Sequence, residues 1–79
     1  MNAKTKGYQG HKNYNHWNVS LWINNDERLY NMARSCCINR TRLEGAALML
    51  ADLATEGITH TPDGAPYSVS SIRAAMVGL

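Results

Sequence analysis

Between positions 41 and 57 the chain is committed to a helix. Thr41 and Glu44 stand at capping-box spacing, where each side chain satisfies a backbone N–H that the first helical turn leaves open. Leu43, Ala46, Ala47, Leu50, Ala51 and Ala54 then recur at helical spacing, and Leu48, Met49 and Leu53 widen the apolar face. Alanine favours the helix and allows a second helix to come close. Gly57 sits where a left-handed residue ends it. An isolated helix of this length is marginal in water, so the rest of the chain must supply a partner for its face.

Residues 24–37 carry a second helical signal. Asn24 is a good N-cap with Glu27 three residues on, and Asp26 and Glu27 place negative charge in the first turn. Leu29, Met32, Ala33 and Cys36 form one stripe, and Arg34 suits the C-terminal end. Residues 38–41 connect the two helices. Pro62-Asp63-Gly64 marks a turn inside a loop over 57–67 with a short hairpin-like form. Ser68 caps a last helix over about 69–77, whose apolar side is Val69, Ile72, Ala75, Met76 and Leu79.

Residues 13–23 fit two readings. Val19, Leu21 and Ile23 alternate as in a strand. Trp17, Leu21 and the pair Trp22/Ile23 also fit a helix capped by Asn13 or Asn15. A lone strand has no partner for its backbone groups, which favours the helix. The expected fold is all-α: a small single domain of three to four short helices over 13–79, preceded by a flexible basic arm, 1–12. The expected core draws on Leu21, Leu29, Met32, Leu43, Ala47, Leu50, Ala54, Ile72 and Met76, with Trp17, Trp22 and Tyr30 at its edge.

Composition narrows the function. A chain of 79 residues buries a modest core and is marginal without help. Its two cysteines, Cys36 and Cys37, are adjacent and cannot staple distant segments, which points to a reducing, cytoplasmic setting. The start of the chain leads to no apolar stretch of a secretory leader. The longest apolar run, Ala46 to Ala51, is too short to span a bilayer.

The histidines and cysteines lack the C-x₂₋₄-C spacing of small zinc sites, so no metal is expected, and Cys36 reads as a small buried hydrophobe. No phosphate loop or nucleophile motif is present, and neither an enzyme nor a cofactor is expected.

Charge is uneven. Residues 1–42 hold seven basic and two acidic side chains, and residues 43–79 hold one basic and four acidic. The basic half can steer an acidic partner. Segments 25–36 and 42–56 suggest a helix-turn-helix, but the second helix carries Glu44, Asp52 and Glu56, which phosphate would repel, and few side chains that match base edges. Nucleic-acid contact is therefore expected only through the basic arm, as part of an alternative reading as a small nucleic-acid-binding regulatory protein. Tyr8 and Tyr14 are expected to be exposed, and with Arg34, Arg40 and Arg42 they are the predicted partner-binding residues. The alanine-rich side offers a surface for a homodimer.

The stretch from Asn13 to Tyr30 resembles a group of small phage and mobile-element proteins sharing N-Y-x-T-W-N-V-x-L-W-x-x-N-D-E-x-x-Y. Asn13, Tyr14, Trp17, Asn18, Val19, Leu21, Trp22, Asn25, Asp26, Glu27 and Tyr30 match, and His16 departs where threonine is usual. Small phage proteins of this kind include inhibitors of host defences, anti-CRISPR proteins among them. The resemblance thus implies a phage-encoded protein that binds a host protein or nucleoprotein complex, such as a CRISPR effector, and inhibits it by steric occlusion. It brings no catalytic residue.

Overall fold

Asn13 opens the first helix by accepting a hydrogen bond from the His16 N–H at 3.0 Å. The computed structural model describes residues 11–79, so most of the predicted arm, with Tyr8, lies outside the described residues. Helix α1 spans Tyr14–Asn25, which resolves 13–23 as helical.

One residue both ends α1 and starts α2 (Glu27–Cys36). The Asp26 N–H donates to the Trp22 carbonyl, and the Asp26 carboxylate accepts from the Leu29 N–H. Asn24 is therefore not the cap that its spacing to Glu27 suggested. It is still helical, so its amide reaches back to the Ser20 carbonyl at 2.8 Å, whereas Asp26 has the extended backbone that aims a side chain at the next turn.

Helix α3 spans Arg42–Thr55 and has both halves of the Thr41–Glu44 capping box. It ends in a Schellman motif. The Ile58 N–H donates to the Leu53 carbonyl and the Gly57 N–H to the Ala54 carbonyl, with Gly57 at φ 75°. Residues 58–67 fold back as a short loop. His60 bridges Pro66 antiparallel, and the Tyr67 N–H donates to the Thr59 carbonyl. Ser68 caps α4 (Val69–Ala75), and Ser71 returns the bond to the Ser68 N–H.

The main helix contacts form a closed ring: α1 on α2, α2 on α3, α3 on α4 and α4 on α1. The core inside it comprises Val19 and Ile23 of α1, Leu29, Ala33 and Cys36 of α2, Ala46, Met49 and Leu53 of α3, and Ile72, Ala75 and Met76 around α4, closed by Ala65 and Tyr67. Leu29, Ile72 and Met76 are buried as expected, and Met32 and Leu50 pack against the core from its edge. Leu21, Leu43, Ala47 and Ala54 are exposed instead. For the three α3 residues, Leu43, Ala47 and Ala54, the reason is that α3 is apolar around most of its circumference, so periodicity does not select a unique face.

Gly45 selects it. A Cβ there would lie 2.9 Å from the Cys36 carbonyl oxygen and 3.2 Å from Cys37 Sγ. The glycine lets α3 press against the end of α2, which turns Ala46, Met49 and Leu53 inward. A helical Gly→Ala change normally gains about 1 kcal/mol. Here the clash is with backbone that cannot swing aside, at a cost of about 1–3 kcal/mol. Gly45→Ala is expected to lower stability in urea denaturation, opposite to the helix-propensity trend.

A buried polar node pins the loop to α1. Asn18 is 1 % exposed. Its carbonyl accepts from the Thr61 hydroxyl, and its amide donates to Asp63 at 2.9 Å. The Trp22 indole N–H donates to the same Asp63 oxygen at 2.9 Å, and the Ala65 N–H donates to Thr61 Oγ1. The bonds from Asn18 and then Trp22 hold the Asp63 carboxyl below its usual pKa. A depressed carboxylate stabilises the fold above its unfolded pKa, and that contribution is lost as the pH falls through the folded value. Asp63→Ala should lower Tm at neutral pH, and its gap to the parent should narrow once the pH drops below the ordinary carboxylate range. Asn18→Ala, which strips a fully buried node, should cost about 2 kcal/mol in the same assay.

Candidate functional site

The turn after α2 brings Cys37 to Thr41 alongside the end of α4. Cys37 is the C-cap of α2, and Asn39 takes a positive φ of 58° to reverse the chain. Asparagine tolerates this left-handed conformation better than most residues. The reversal sets Arg40, Thr41, Arg42 and Leu43 opposite Arg73, Met76 and Leu79, around a groove of about 510 Å³.

Three arginines thus line one depression, and no acidic side chain does. Arg40 Nη1 donates to the Cys36 carbonyl over a long 3.4 Å. Neither Arg42 nor Arg73 has a carboxylate partner among the described residues, where the ion pair is between Arg28 and Glu56. Glu44, the nearest acid in sequence, is held by the Thr41 N–H at 2.9 Å. The positive end of the α3 dipole also falls here. The chemistry of such an arrangement suits carboxylates or phosphates, because guanidinium presents its N–H groups as a fork that matches two oxygens.

The predicted binding residues separate in space. Arg40 and Arg42 share the groove, and Arg34 and Tyr14 do not line it. Arg34 lies over the Tyr30 ring at 5.8 Å, and Tyr14 sits 5.8 Å from Trp17. Tyr8 lies outside the described residues. Arg73 was not anticipated. It is far from Arg40 in sequence, so only the packing of α3 on α4 reveals the cluster.

A second groove of about 370 Å³ lies between Trp22, Leu29, Ile58, Pro62 and Tyr67, with Arg28 and His60 among its other lining residues. His16 pairs with Ser70 Oγ at 2.9 Å and ties α1 to α4. Burial, then the charges of Lys12 and His11, hold its imidazole below the usual value. Among the described residues no group of three His, Cys, Asp or Glu is placed to hold a metal ion. No helix there is long and apolar enough to cross a membrane.

The adjacent cysteines are chemically distinct. Cys36 is buried, and burial, then the Asp52 carboxylate, push its thiol above the ordinary pKa. Cys37 is half-buried and lines the arginine groove. Limiting maleimide on the native protein should therefore label Cys37 before Cys36, and unfolding should level the two rates, as read by peptide mass spectrometry.

The model of a family described as a family of unknown function, DUF7249, matches residues 4–78. No curated protein and no solved structure matches the chain.

Proposed function

The chain belongs to the DUF7249 family, and we propose that it is a non-catalytic binding protein that covers an anionic face of a larger partner with its arginine groove. One observation carries this reading: Arg40, Arg42 and Arg73 line a single groove that contains no acidic side chain. Like charges gathered with no acidic side chain among them repel one another, and a ligand of opposite charge relieves that repulsion. Exposed Leu43, at 56 % accessibility, and Leu79 give the same surface an apolar component. Partner contact would bury that area together with the charges.

The resemblance of residues 13–30 to small phage and mobile-element proteins suggests the setting. The partner is then a host defence complex, of the CRISPR effector type, inhibited by steric occlusion. Charge argues against DNA mimicry, because the groove is basic rather than acidic.

The test is affinity capture from host lysate with the parent protein and with an Arg40→Ala/Arg42→Ala variant, each with and without nuclease. A nuclease-resistant set of effector subunits, recovered by the parent and lost with the variant, supports the reading. Nucleic acid and its companions, lost on nuclease treatment, would instead favour a small nucleic-acid-binding protein. With a purified partner, the double substitution should weaken binding about tenfold or more. The unfolding midpoint should hardly move, since both side chains are exposed.

A further inference from the structure

The groove also restricts what kind of chain can carry the anion, an inference that rests on reading it as the docking face. Its arginines are interleaved with aliphatic surface. Exposed Leu43 and Leu79 line it beside the arginines, over the buried Met76. Ile38 and Val77, next in sequence to the lining residues Cys37 and Met76, are 64 % and 66 % exposed.

A nucleic-acid backbone would satisfy the arginines but set polar sugar and phosphate against that aliphatic surface. No aromatic ring lines the groove to stack a base. A protein segment that alternates carboxylates with large aliphatic side chains matches both components at once.

We propose that the groove binds an acidic, amphipathic protein segment. Its carboxylates meet Arg40, Arg42 and Arg73, and one bulky aliphatic side chain seats on the exposed Leu43 and Leu79. The guanidinium groups supply orientation and charge, and the aliphatic contact supplies discrimination against other polyanions. The volume of about 510 Å³ has room for such a side chain together with its flanking carboxylates.

The test uses three labelled probes at low salt, read by fluorescence anisotropy. One is a short peptide with glutamates flanking two leucines. The second carries serines in place of the leucines, and the third is a single-stranded oligonucleotide of equal charge. The leucine peptide should bind about tenfold tighter than the serine peptide. Leu43→Ser should erase most of that difference, and because Leu43 is exposed the variant should keep the parent's circular dichroism and Tm. Arg42→Ala/Arg73→Ala should weaken both peptides. Equal binding of the two peptides, or preference for the oligonucleotide, would overturn the proposal and leave the anionic docking face standing. Failure to bind any anion, or binding indifferent to the arginine substitutions, would overturn both.

Discussion

A single buried primary amide organises this fold. Asn18 lies in the interior, where an unpaired amide would cost several times what a paired one returns. Both ends of that amide are used, one by Thr61 and one by Asp63. The loop over 58–67 has little secondary structure of its own to hold it. Without the amide it would lose two of its three side-chain bonds to α1 among the described residues, leaving that from the Trp22 indole to Asp63, and with them much of what places Ala65 and Tyr67 over the core. Apolar burial drives collapse here as in any small domain, but the polar node decides which collapsed arrangement is adopted.

The same node gives physical content to the tract from Asn13 to Tyr30. Asn13 caps α1, Asn18 and Trp22 hold Asp63, Val19 enters the core, Asn25 donates to the Leu21 carbonyl, and Asp26 caps α2. These residues are occupied in building the protein. A sequence pattern made of them speaks first about architecture, although Tyr14 and Leu21 within the tract stay exposed. His16, the departure from that pattern, is also engaged within the fold, through Ser70.

Legibility in the sequence followed the range of the interaction. The caps at Thr41 and Ser68, the stop at Gly57 and the stripe of α2 are local and were readable. The cap of α2 was displaced by two residues, because Asn24 and Asp26 are both good caps by type and only backbone geometry separates them. The buried face of α3 was misjudged, because a helix of alanines and leucines offers several equivalent faces and the choice depends on a glycine touching a neighbouring helix. The groove was half legible: Arg40 and Arg42 are sequence neighbours, whereas Arg73 joins them only through tertiary packing. Tyr14 and Arg34 share the right chemistry and do not line the groove, since residue type alone carries no position.

The junction at Asp26 has a consequence for how such a chain can vary in length. Two helices that meet at one residue have no slack between them. Each residue of an α-helix advances about 100° around the axis. An insertion at the junction would therefore swing the inward stripe of Leu29, Ala33 and Cys36 toward solvent unless the whole corner were rebuilt. The spacing between Trp22 and Leu29 is thus constrained as a length, independently of which side chains fill it. The reversal at Asn39, on the exposed turn between α2 and α3, is the more permissive place for the chain to lengthen.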